Sequence, residues 1–231
     1  MPSPANFVAF RRGLLRWFRR RGRPLPWRET RDPYRVLVSE FMLQQTQVSR
    51  VVDFYGRFLG RYPSLESVAR AGPSTVRDTW DGLGYYRRAE NLHRLAQAVV
   101  KEYGGRLPDD PEALRRLPGI GRYTAAALAS FAHERRVLPV DTNVARVLNR
   151  AFGAPKGDTV RARRRMARLA DQLLPRTGKS AWAFNQALMD LGATVCVARR
   201  PKCPNCPVQG ECRTGRRLGG QAGGRTGGQP S

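Results

Sequence analysis

Four cysteines lie close together near the end of the chain: Cys196, six residues, Cys203, two residues, Cys206, five residues, Cys212, with Pro201, Pro204 and Pro207 between them. Proline removes a backbone donor and fixes φ, so this stretch is a loop and not a helix, and its four thiolates can converge. Disulfides here would leave the other two hundred or so residues of the chain unlinked, so the cysteines read as ligands. Zinc ribbons present two short knuckles, and only one two-residue knuckle occurs here. A [4Fe-4S] cluster held by one compact loop fits the spacing better, with zinc and a disulfide pair as the alternatives. Its expected role is structural.

Two carboxylates sit in contrasting contexts. Glu40 is embedded in Val36-Leu37-Val38-Ser39-Glu40-Phe41-Met42-Leu43. Burial there would raise its pKa and keep it partly protonated, as a general acid must be. The alternative is a polar helix face shared with Ser39 and Gln44. Asp141 follows Val137-Leu138-Pro139-Val140 and precedes a helical pattern at Val144, Val147 and Leu148. The helix dipole and nearby N–H groups would hold it ionised, although a plain N-cap has the same signature. Together, one neutral acid and one fixed anion are what is needed to protonate a leaving group and stabilise a sugar cation.

The segment Leu117-Pro118-Gly119-Ile120-Gly121 joins two helical patterns. Gly119 and Gly121 permit a tight turn that presents backbone N–H groups at the next helix's N-terminus, a geometry suited to phosphate, or simply an ordinary connection between helices.

The elements that must position these groups are helical. Apolar residues recur at spacings of three and four through Val36, Leu37, Phe41 and Met42 and through Val48, Val51, Val52, Tyr55, Phe58 and Leu59. Similar patterns run over Leu92 to Val100, Tyr123 to Phe131, Val144 to Phe152, Met166 to Leu174 and Ala181 to Leu191. There is no convincing strand alternation and no internal repeat, so the fold class is all-α. The Gly- and Arg-rich stretch 213–231 is expected to be a disordered basic tail.

The chain has 231 residues, with 42 Lys and Arg against 18 Asp and Glu, a formal net charge of +24. Arginine supplies nearly all the cations, and its planar fork matches phosphate oxygens, so a polyanion is the expected partner; an arginine-biased surface is the bland alternative. There is no apolar run of membrane-spanning length, and no apolar signal core follows the basic stretch Arg11 to Arg23. A soluble, cytoplasmic and nucleoid-associated monomer without membrane contact is expected.

Read together, these segments resemble the helix-hairpin-helix DNA glycosylase superfamily, and specifically the MutY-type adenine glycosylases, from about Leu25 to Cys212. The motifs that carry the likeness fall in family order: Leu25-Pro26-Trp27-Arg28, Asp32-Pro33-Tyr34, the Ser39 to Gln47 stretch SEFMLQQTQ, the Gly82 to Tyr86 stretch GLGYY, the hairpin, the Val140 to Val144 stretch VDTNV, and the cysteine loop. The resemblance implies two helical domains flanking a DNA-binding cleft. One is a six-helix barrel at 28–137 containing the helix-hairpin-helix. The other is an iron-sulfur domain built from 1–27 and 138–212.

It also implies roles. Glu40 matches the residue that protonates adenine and then directs water, and Asp141 matches the one that stabilises the oxocarbenium-like sugar, with Asn143 beside it. Gln44 is similar to the wedge that fills the vacated stack, and Tyr85 to the aromatic that inserts beside the opposite base. Trp27, Arg28 and Gln186 match positions lining the extruded-base pocket, and a core-aromatic role is the alternative for Trp27 and Tyr85. The endonuclease III branch carries a lysine nucleophile where this chain has Tyr123, so a monofunctional glycosylase that uses water is implied, with Tyr123 hydrogen-bonding near Asp141. The expected activity is base excision repair: removal of adenine mispaired with guanine or 8-oxoguanine in double-stranded DNA.

Two features complicate the adenine assignment. The chain ends soon after its cysteine loop, so it is expected to be the catalytic part without the C-terminal domain that reads 8-oxoguanine. Tyr123 and Thr142 also resemble the mismatch thymine and uracil glycosylases of the same superfamily. A non-catalytic iron-sulfur DNA clamp is the remaining alternative, disfavoured by the presence of both carboxylates.

Overall fold

The computed structural model describes residues 3–222 and is helical, with twelve α-helices, two short 3-10 turns and no strand among the described residues. None of these helices is long and apolar enough to cross a membrane. The chain divides into two units: Met1–Arg23 with Arg136–Ser231, and Pro24–Arg135.

The unit formed by the two chain ends contains α1 (Pro4–Arg21), α9 (Thr142–Phe152), α10 (Val160–Leu173), α11 (Gly178–Thr194) and α12 (Arg213–Ala222). Helix α1 coincides with the stretch whose arginines obscured it. Phe7, Phe10, Leu14 and Phe18 recur at spacings of three and four, and the first three are buried with Leu148, Phe184 and Leu188 in the core. Helix α11 packs against both α1 and α9. The tail differs from expectation, because residues 213–222 continue as helix α12 against α9, and only its remainder lies outside the described residues. Close packing explains this: a Cβ at Gly215 would meet the Gln209 carbonyl at 2.7 Å, and the Thr214 hydroxyl donates to the Arg150 carbonyl at 2.9 Å.

The internal unit contains α2 (Pro33–Leu43), α3 (Val48–Arg61), α4 (Leu65–Arg70), α5 (Pro73–Asp78), α6 (Arg87–Tyr103), α7 (Pro111–Arg116) and α8 (Arg122–Phe131). Asp32 starts α2 by accepting from the N–H groups of Tyr34 and Arg35, with Pro33 at the first helical position. Helix α2 is the hub, packing on α3, α6 and α8, and Val36 through Met42 are all buried. The unit begins at Pro24, ahead of the expected boundary at residue 28. The reason is that the Trp27 ring is buried edge-on against Tyr55 of α3, with centroids 5.5 Å apart.

Where the first segment ends, the fully buried Asp190 of α11 accepts from Arg23 three times: backbone N–H at 2.9 Å, Nε at 2.7 Å and a terminal guanidinium nitrogen at 2.7 Å. This pair clamps the end of the N-terminal segment onto α11. Asp190→Ala is therefore expected to lower unfolding stability by about 3 kcal/mol, because it strands a partly buried guanidinium. Asp190→Asn, which still accepts from the backbone, should cost less. The denaturation midpoints of the two variants check this.

Candidate functional site

Asp141 is the N-cap of α9. Its Oδ1 accepts from the Val144 N–H at 2.7 Å, and its Oδ2 accepts from the Asn143 amide at 3.1 Å. The capping geometry is therefore present. It also means that the carboxylate is held at two points, at the positive end of an eleven-residue helix. Asn143 is itself held: its Oδ1 accepts from a terminal nitrogen of Arg146 at 2.7 Å, and the same nitrogen donates to the Gly192 carbonyl at 2.8 Å. Arg146 Nε donates to the Cys196 carbonyl at 2.9 Å. A continuous chain of hydrogen bonds thus runs from the cysteine loop through Arg146 and Asn143 to Asp141.

One turn further along, Arg150 donates to the carbonyls of Val197 at 2.7 Å, Ala198 at 2.9 Å and Cys196 at 3.3 Å, and to the Cys196 sulfur at 3.4 Å. Its own carbonyl accepts from Thr214 and from the Cys212 thiol. Sequence reading missed both arginines, since their i, i+4 spacing on one face of α9 is indistinguishable from a solvated basic stripe.

All four cysteines are reduced, half-buried and line one small cavity together with Arg150, Pro201 and Gly215. Burial pushes the Cys206 thiol up to about 11, and burial followed by the neighbouring Cys196 and Cys212 raises that of Cys203. Four thiolates in such a place require a cationic group to neutralise them. A tetrahedral zinc would draw its sulfurs to within about 4 Å of one another, given Zn–S bonds of about 2.3 Å. The four cysteines line that cavity together, so their thiolates could hold either such an ion or a larger centre. The Gly215 N–H and Arg150 also donate to ligand sulfurs, as in sites that hold a sulfur-rich centre.

In the internal unit, Glu40 is 6% exposed, in the middle of the apolar run of α2. Gln44 ends that helix and is followed by Gln45 in the left-handed region at φ 57°. Tyr85 is 60% exposed at φ 50°, so it is not a core aromatic, whereas Trp27 is buried. Arg28 is half-buried in the 3-10 turn Pro26–Arg28, and Tyr123 is half-buried in the first turn of α8. Gln186 lies in the other unit, on α11, and is 5% exposed.

The hairpin is built as its sequence suggests. Helix α7 packs on α8, and the Ile120 N–H closes the turn on the Leu117 carbonyl at 3.2 Å. Gly119 has φ 76°, and a Cβ there would meet both the Asn91 Cβ and the Phe41 ring at 2.9 Å. Gly121, the N-cap of α8, has φ −89° and open space where a Cβ would go. The two glycines should therefore respond differently. Gly119→Ala is expected to cost roughly 2 kcal/mol through strain and overlap, while Gly121→Ala leaves stability within about 0.5 kcal/mol. Thermal unfolding of the two variants reads the difference.

The profile of the HhH-GPD superfamily of base excision DNA repair proteins matches residues 38–172. The chain is 45% identical to the adenine DNA glycosylase of Rattus norvegicus over 93% of its length, but spans only 43% of that relative. It is also 45% identical to the adenine DNA glycosylase of Mycolicibacterium smegmatis, over 87% of this chain and 67% of that one. Among solved structures, a thermostable thymine-DNA glycosylase superposes with a TM-score of 0.84 at 33% identity, covering 92% of this chain and 98% of the other. The helical order, the glycine-turned hairpin and the profile match reach the same conclusion: this chain belongs to the HhH-GPD superfamily of base excision DNA repair proteins.

Proposed function

We propose that the protein is a monofunctional adenine DNA glycosylase, acting on double-stranded DNA with adenine opposite guanine or 8-oxoguanine. The observation that carries the chemistry is the Asp141 carboxylate, held at both oxygens by Val144 and Asn143 at the start of α9. A charge fixed before the reaction needs no reorganisation when positive charge develops on a sugar. The similarity to adenine DNA glycosylases over nearly the whole chain supports adenine as the base.

In this reading the buried Glu40 supplies the acid. It gives its proton to a ring nitrogen of the flipped adenine, and the bond from the base to C1′ breaks with its electron pair leaving on the base. Asp141 faces the resulting oxocarbenium-like sugar. Glu40, now a carboxylate, takes a proton from water as the water oxygen bonds to C1′, leaving an abasic site. Gln44 and Tyr85 enter the duplex beside the vacated position, while Trp27, Arg28 and Gln186 recognise the extruded base. The amide groups at Gly119 and Gly121 hold a backbone phosphate, and Asn143 and Tyr123 orient Asp141. Tyr123 cannot form an imine with the sugar, so no strand cleavage accompanies base release.

The cysteine cavity is proposed to hold a [4Fe-4S] cluster, bound by Cys196, Cys203, Cys206 and Cys212. When bound it would supply positive charge that offsets part of the charge of the thiolates. Arg146 and Arg150 transmit the shape of its loop to α9 and hence to Asp141.

A second reading, a thymine or uracil mismatch glycosylase, is favoured by the end-to-end superposition on the thymine-DNA glycosylase. Single-turnover cleavage of duplexes carrying A opposite 8-oxoguanine, A opposite G, T opposite G and U opposite G separates the two. Release of adenine alone is expected, and release confined to the last two substrates would overturn the adenine assignment. Asp141→Asn keeps the cap acceptor but not the charge. It should slow base release at least about a hundredfold with little change in duplex affinity. Borohydride trapping should give no lysine adduct. Anaerobically purified protein should carry iron and acid-labile sulfide in equal amounts, lost in Cys203→Ser; stoichiometric zinc instead would refute the cluster.

A further inference from the structure

Two loops of the internal unit leave regular structure at a cost. After α2, Gln45 is left-handed; before α6, Gly82, Gly84 and Tyr85 all have positive φ, at 88°, 71° and 50°. A non-glycine residue in that region costs about 1 kcal/mol, and several carbonyls of the two loops lie outside the helical bonding pattern, although that of Tyr85 also accepts from the Arg88 N–H at 3.0 Å. Something must hold them.

That group is Arg88, on the first turn of α6 and only 5% exposed. One terminal nitrogen donates to the carbonyls of Phe41 at 3.1 Å, Met42 at 2.6 Å and also Gln44, the carbonyl end of α2. The other donates to the Thr46 hydroxyl at 2.9 Å and to the carbonyls of Gly84 at 2.8 Å and Leu83 at 3.3 Å, and Nε reaches the Tyr85 carbonyl at 3.4 Å. The guanidinium carbon also lies 5.6 Å from the Tyr85 ring centroid. None of these partners is a carboxylate. A buried cation whose bonds go to the end of α2 and to the two loops is held mainly by carbonyl dipoles, and in turn fixes one loop against the other. Lysine, with three donors on one point, could not span both sets.

We infer that Arg88 is the positioning residue that locks Gln44 and Tyr85 into a single register, so that both enter a duplex as one rigid unit. The inference rests on the proposed role of Gln44 and Tyr85 at the unstacked base. Arg88 would touch neither the extruded base nor the reacting atoms, so its effect passes through the two loops.

The test is a mutant cycle on the full chain. It uses Arg88→Lys, the Gln44→Ala/Tyr85→Ala double variant and the triple combination. Fluorescence of 2-aminopurine placed opposite guanine reports unstacking, single-turnover kinetics report adenine release, and thermal unfolding reports the fold. Gln44→Ala/Tyr85→Ala should reduce unstacking, and Arg88→Lys should reduce both unstacking and release at least about tenfold while remaining folded. In the triple variant Arg88→Lys should add less than about twofold, since there is no longer a wedge to position. Full multiplication of the two effects, or an Arg88→Lys protein with parental unstacking, overturns the inference. If the double variant itself unstacks the analogue normally, the wedge reading fails and the inference falls with it. Should Arg88→Lys not fold, Thr46→Val removes one acceptor and leaves the fold intact. The same cycle then applies, with an expected loss of about threefold, and no loss overturns the inference.

Discussion

Backbone carbonyls outside regular helices need donors, and in both units of this protein arginines on helices supply them. Arg146 and Arg150 satisfy the carbonyls of the cysteine loop, and Arg88 those of the two loops flanking α2 and α6. An unsatisfied buried carbonyl costs on the order of 1–3 kcal/mol, so each guanidinium, with several bonds, decides whether its loop has one shape or many. The groups that would do chemistry lie next to, or on, those loops. The precision of the site therefore depends on a small set of cations whose charge serves the protein before it serves any partner.

This changes the meaning of the net charge. A value of +24 reads as a surface made for a polyanion, and much of it remains available for that. Yet Arg23, Arg88, Arg146 and Arg150 are engaged inward, with a carboxylate, with carbonyls and with a sulfur. Arginine suits both tasks for the same reason: a rigid fork with five donors binds phosphate oxygens and backbone carbonyls alike. Where the fork points is settled by what is missing a donor nearby.

The cysteine loop illustrates how a structural centre and a reactive carboxylate can be linked without contact. Helix α9 is capped by Asp141, and the half-buried Arg146 and Arg150, four residues apart on one face, reach from it to the loop. Gly192 of α11 sits where a Cβ would press on Asn143 at 2.8 Å, so that helix too is close enough to set the position of the Asp141 partner. Rigidity here is the product of short, saturated contacts and not of the cysteine loop alone.

The helical class, the cysteine loop, the hairpin turn, the buried setting of Glu40 and the capping position of Asp141 could all be read from local chemistry: spacing, glycine at a turn, or an acid within or just before an apolar helix. The periodic stretches at α6, α8, α9 and α11 were legible for that reason, and α1 was hidden only because its arginines masked the Phe7, Phe10 and Leu14 face. Tertiary structure decided what local pattern cannot carry. It buried Trp27 and exposed Tyr85, although both are aromatic residues in family motifs. It made residues 213–222 a helix, because α9 offered that polar, glycine-rich stretch a surface to pack on. It also chose which arginines turn inward, since the cysteine-loop carbonyls lie 46 or more residues from Arg146 and Arg150 and those at the end of α2 lie 44 or more from Arg88, and no spacing rule records that distance.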